Sequence, residues 1–138
     1  MELKNKVACI TGASKGIGKA TALALAREGA SLSLSARNKE LLEETADEAR
    51  QLGANVVSYV GDMSIEKEII SYIEKTTQTL GGLDILINNA GLGCFHTIAE
   101  FPTQEWDKMF NLNIRGLFIS TREALPHLRK AGESVVIN

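Results

Sequence analysis

The feature that most constrains this chain is a rhythm: apolar runs rich in β-branched residues alternate with stretches of helical periodicity from end to end. The runs are Val7 to Thr11, Ser31 to Ala36, Val56 to Val60, Leu83 to Ile87 and Ser134 to Asn138. Strands separated by helices run parallel, because each helix carries the chain back to the edge where the last strand began, and the helices then cover both faces. The expected fold class is α/β, a doubly wound parallel sheet, with the fifth run read as a strand cut off at its carboxyl end.

Helix signals fall where this order needs them. The first helix is expected from near Ile17 to about Glu28, with Ala20 and Ala24 as small residues packing against the sheet and Gly29 as its stop. Asn38 is a candidate N-cap for the second, whose Leu42, Ala46, Ala49 and Leu52 fall on one stripe before Gly53. Ser64 is expected to cap the third, with Ile69, Ile73 and Leu80 buried and Gly81-Gly82 ending it. A loop from Asn88 to Pro102 leads to a long helical stretch after Thr103 that carries Trp106, Phe110, Leu117, Leu125 and Leu128, and that Pro126 should bend or end.

Residues 1–138 are expected to form one domain, since this length suits a single core and no linker or repeat interrupts it. Fifteen Lys and Arg against seventeen Asp and Glu give a net charge of −2, which provides no basic field for nucleic acid and points to a small-molecule partner. The amino-terminal apolar run is too short for a signal sequence or a membrane span. Cys9 and Cys94 stand far apart without metal-ligand spacing, so no metal site is expected and both read as reduced thiols of a cytoplasmic protein. His96 reads as a loop residue and His127 as a cation at a helix end.

Chemistry is concentrated at the ends of the strands. After the first strand, Thr11-Gly12-Ala13-Ser14-Lys15-Gly16-Ile17-Gly18 places three glycines where the backbone turns sharply into a helix. Free N–H groups and the dipole at such a helix start favour an anion, and glycine lets a pyrophosphate approach, although Gly-x-x-x-Gly-x-Gly differs from the usual Gly-x-Gly-x-x-Gly and a glycine cluster can also be purely structural. At the end of the second strand, where an acidic residue would take a ribose 2′-hydroxyl, stands Ser35-Ala36-Arg37-Asn38. Arg37 and Lys15 can instead hold a 2′-phosphate, with Ser14 and Asn38 as helpers. Charge-assisted bonds contribute about 1.5–3 kcal/mol each, so the pair could shift preference a hundredfold. The alternative is that Lys15 and Arg37 are ordinary solvated charges.

Taken in order, Thr11-Gly-x-x-x-Gly-x-Gly18, Asp62, Asn88-Asn89-Ala90-Gly91 and Asn113 resemble the short-chain dehydrogenase/reductase family over the whole chain, and most closely its carbonyl and 3-oxoacyl-thioester reductase branch. The resemblance implies a Rossmann-type fold truncated after the fifth strand and a carbonyl or alcohol oxidoreductase using NADP(H). It implies that Asp62 accepts from the adenine amino group, with Met63 adding a backbone contact, although Asp62 also suits a simple turn or cap. Asn89 would steady the central strands while Ala90 and Gly91 lie against the cofactor's ribose; two asparagines before a glycine are also a tight-turn signal. The loop Gly91-Leu92-Gly93-Cys94 looks able to adjust on binding. Asn113 is the catalytic candidate, matching an asparagine that in the family sits at a break in this helix and holds a water of the proton relay.

The family's remaining acid–base residues, a serine after the fifth strand and a Tyr-x-x-x-Lys pair, have no counterpart here: Tyr59 is followed four positions on by Met63, and Tyr72 by Thr76. General acid catalysis is typically worth about 10²–10⁴-fold, so activity of these residues alone by the family mechanism is expected to be slight or absent. An open fifth strand beside an uncovered helix face favours pairing, so a homo-oligomer, a complex with a complementary chain, or marginal stability is expected. A dinucleotide-binding module without catalysis, or a partner fragment, is the alternative.

Overall fold

A computed structural model describes residues Met1–Asn138. Five parallel strands, β1 (Val7–Thr11), β2 (Ser31–Ala36), β3 (Val56–Val60), β4 (Ile85–Ile87) and β5 (Val135–Ile137), form one sheet in the order β3-β2-β1-β4-β5. The chain is thus a Rossmann-type α/β structure, as the rhythm of the sequence indicates. The strand order reverses between β1 and β4, and open sheets of this kind form their crevice at the carboxyl ends of the strands on either side of such a switch.

Period-two alternation divides the core between two faces. From β1, Ala8 and Ile10 point to the side covered by α1 (Gly16–Arg27) and α2 (Lys39–Gln51), where Ala22, Ala26, Leu42, Ala46 and Ala49 are buried with Leu32 and Leu34. Each fully buried Leu or Ile there contributes about 1.5–3 kcal/mol. Cys9 points the other way, into a cluster under α3 (Glu66–Leu80) that includes Ile69, Tyr72, Ile73 and Leu86. This second face is partly polar. The Thr76 hydroxyl donates to the Tyr72 carbonyl at 2.8 Å and so accepts from Ser33 Oγ at 2.6 Å, while the Tyr72 hydroxyl donates to the Ser33 carbonyl at 2.6 Å.

Several local expectations are corrected. Gly18, Ala22 and Ala26, rather than Ala20 and Ala24, are the buried small residues of α1. Leu52 caps the end of α2 and is exposed, and Leu80 is only half-buried. Asn38 does cap α2, accepting from Leu41 N at 2.9 Å, but Ile65 holds the cap position of α3, because the Ser64 hydroxyl is engaged with Asp62 at 2.8 Å. The loop after β4 contains a 3-10 turn, Ile98–Glu100. The long helix is three segments: α4 (Thr103–Phe110), a six-residue π-helical turn (Asn111–Gly116) and α5 (Leu117–Ala131). Pro126 neither ends nor interrupts α5; it lies on the exposed face, where water can take the Arg122 carbonyl that its missing N–H leaves unpaired. No helix is long and apolar enough to cross a membrane.

Candidate functional site

A cleft of about 750 Å³ opens at the carboxyl ends of the central strands. Its floor is the turn from β1 into α1, and the reason for glycine there is steric. Gly12 has φ +69°, and a Cβ on it would come within 2.9 Å of Ala90 Cα. A Cβ on Gly18 would overlap both the Gly12 carbonyl oxygen and the Asn89 amide. That amide explains the crowding: Asn89 Nδ2 donates to the carbonyls of Thr11 and Gly12 at 3.0 Å each, so the asparagine after β4 holds the turn after β1. Thr11 locks the same junction by accepting from Ala90 N at 2.9 Å through its side-chain oxygen.

The remaining walls come from three strand ends. Ser14, Lys15, Gly16 and Ile17 rim the glycine turn, with Gly18 beneath it and outside the lining. Arg37 and Asn38 follow β2, both exposed, and Asp62 and Met63 follow β3. Asn89, Ala90 and Gly91 follow β4. Asp62 also performs the turn role open to it in the sequence: Oδ1 accepts from Ser64 N at 2.9 Å, and its own N–H donates to the Glu68 carboxylate. Ala36, Leu41, Gly61 and Leu112 line the cleft without having been singled out by sequence. The signal for Leu41 was slight, an apolar residue exposed in the first turn of α2. Leu112 depends on the π-turn, which no sequence period reveals.

Asn113 does not stand free. Its Nδ2 donates to the Leu92 carbonyl at 2.8 Å and its Oδ1 accepts from Leu92 N at 3.0 Å, so the side chain clamps the loop that looked adjustable in the sequence. Beyond the clamp, His96 pairs with Glu105 at 2.8 Å, and this bond first, then that from Cys94, holds the Glu105 carboxyl below its ordinary range. Desolvation, and secondarily Glu105, pushes the Cys94 thiol up, so it keeps its proton. Neither tyrosine lines the cleft: Tyr72 is fully buried, and burial raises its phenol well above the ordinary value.

The chain matches the family described as short chain dehydrogenase over residues 6–138. It belongs to that family. Among curated relatives, this short-chain dehydrogenase chain is 36% identical over 138 residues to the 3-oxoacyl-acyl-carrier-protein reductase FabG of Thermotoga maritima, covering 100% of this chain and 56% of the relative. It is 39% identical over 136 residues to an uncharacterized oxidoreductase of Staphylococcus aureus strain USA300, covering 99% of this chain and 58% of the relative. Solved structures agree: NAD+-bound xylitol dehydrogenase superposes with a TM-score of 0.93 at 30% identity, over 99% of this chain and 53% of that one. Levodione reductase gives 0.91 at 35%, over 96% and 53%. The chain therefore spans little more than half the length of the curated relatives it matches.

Proposed function

We propose that the protein binds NADP(H) in the cleft and is the dinucleotide-binding part of an oxidoreductase that interconverts a small-molecule carbonyl and its alcohol. The observation that carries this reading is convergence: one cleft is bordered by the glycine turn, by Lys15 and Arg37, and by Asn89 to Gly91. A Cβ would fill the space at Gly12 and Gly18, so the cradle fits a pyrophosphate approaching the start of α1. Bound there, the nicotinamide would supply the hydride. The chain's own residues have other tasks: Gly16 and Ile17 offer backbone N–H groups at the helix start, Asn89 keeps the turn open, and Ala90 and Gly91 leave room for the ribose. Asp62 keeps one oxygen available for the adenine amino group, and Asn113, through Leu92, fixes the wall on the reacting side.

Arg37 decides between cofactors. The solved xylitol dehydrogenase is NAD+-bound, whereas this chain carries a guanidinium after β2 and a lysine in the glycine turn after β1. Both are exposed and screened, so each should be worth about threefold to fivefold in affinity, and the two together about tenfold, rather than the full strength of buried pairs. Calorimetric titration with NADPH and NADH tests this: NADPH should bind at least tenfold more tightly, and Arg37→Asp should remove the difference. Equal affinities in the unaltered protein would overturn the assignment.

The alternative is a dinucleotide-binding module without turnover. NADPH consumption with a panel of aldehydes and ketones separates the two. Self-association through the exposed α4–α5 face, and a cytoplasmic location, complete the proposal.

A further inference from the structure

The π-turn touches both side walls of the cleft at once. Leu112 lines the cleft and Asn113 clamps Leu92 on the β4 side. On the β3 side, Gly116 meets Met63 so closely that a Cβ would overlap the Met63 carbonyl oxygen. Glu66, in the first turn of α3, lies outside the cleft and divides its carboxylate: Oε2 takes Arg115 at 2.7 Å and Oε1 takes Arg122 at 2.8 Å. One carboxylate therefore ties the π-turn and the start of α5 to the segment that follows Asp62 and Met63.

A π-turn holds one extra residue at poorer hydrogen-bond geometry, so it needs something to fix its place in the helix. Were it to migrate by one position, the residues it passed would rotate by about 100°, one helical step, and Asn113 would leave Leu92. We propose that Glu66 is a positioning residue that pins the π-turn in register and, through Asn113, makes the Asp62–Met63 and Gly91–Leu92 walls move as one unit. For binding, this rests on the reading of the cleft as a dinucleotide site.

Amide hydrogen exchange tests the mechanical part without ligand. In Glu66→Gln, the Leu92 N–H, 26 positions away in sequence, should exchange about threefold faster or more, while Ile10 N–H in β1 stays unchanged. Arg115→Gln should reproduce the effect. Raising the salt concentration should speed Leu92 exchange in the unaltered protein and not in Glu66→Gln, because only an ion pair is screened. With NADPH, Glu66→Gln should weaken binding severalfold, and adding it to Asn113→Ala should weaken binding no further. An unchanged Leu92, or Leu92 and Ile10 rising together, overturns the proposal. If the unaltered protein binds no NADPH, the dinucleotide reading fails and the exchange result still decides the role of Glu66.

Discussion

The first 87 residues and the last 51 solve the problem of burying apolar surface in opposite ways. Every residue of β1 is buried, as are all three of β4, whereas Val135 and Ile137 of β5 are exposed. Beyond Ile87, only Gly116, Ile119, Ser120, Ala124 and Leu128 are buried. The same stretch presents Phe95, Ile98, Trp106, Phe110, Ile114, Phe118 and Leu125 to solvent. Trp106 stacks on Phe110 at 4.5 Å and meets Phe101 edge-on at 5.9 Å, so these aromatics partly cover one another at the surface. The earlier region is held by a sheet packed on both faces, whereas the later one joins that core through Ile119, Ala124 and Leu128 and is tied to α3 by Glu66, which takes Arg115 and Arg122.

The comparison is broken most severely at the glycine turn. Gly18→Ala forces a methyl group onto the Gly12 carbonyl and the Asn89 amide, and should cost about 2–4 kcal/mol in urea unfolding while abolishing dinucleotide binding. If stability and binding are retained, the turn is not closely packed. Next comes Tyr72→Phe, which strips the hydroxyl that donates to Ser33 O and accepts from Ile10 N; a loss of about 1–3 kcal/mol is expected, read from the urea midpoint at unchanged slope. On the other region, Trp106→Gln with Phe110→Ser removes a half-exposed stacked pair and should cost about 0.5–1.5 kcal/mol, while lowering the proposed self-association in sedimentation. A loss as large as that of Gly18→Ala would erase the distinction between the regions.

The smallest effect is with pH. Bonds from Arg122 to Glu66 and from His96 to Glu105 lower both carboxyls from the ordinary 4.5, so their contribution is fully present above that value and is lost as pH falls through the lowered ones. Trp106 fluorescence should therefore change on acidification below pH 4.5, and Glu105→Gln should flatten the change.

Strand positions, the Asn38 cap and the glycine turn were legible because each depends on near neighbours: period two, a side chain reaching three residues on, a missing Cβ. The residues singled out in the sequence come together in one cleft, apart from Gly18 beneath it and Asn113 behind Leu92. Ser64 does not cap α3 because its hydroxyl and Asp62 satisfy each other first, and Pro126 stays within α5 because its cost depends on which face meets water.

The sequence by itself determined the parallel α/β order, the location of the crevice at the strand ends, and the residue types around it, since those follow from local periodicity and sterics. Only the tertiary structure decided that Asn89 holds the turn after β1, that Asn113 is engaged with Leu92, and that Glu66 joins α3 to the π-turn. Those contacts unite residues 20 to 80 positions apart, and which of several possible polar partners a side chain takes is fixed by the packing of the elements that carry it.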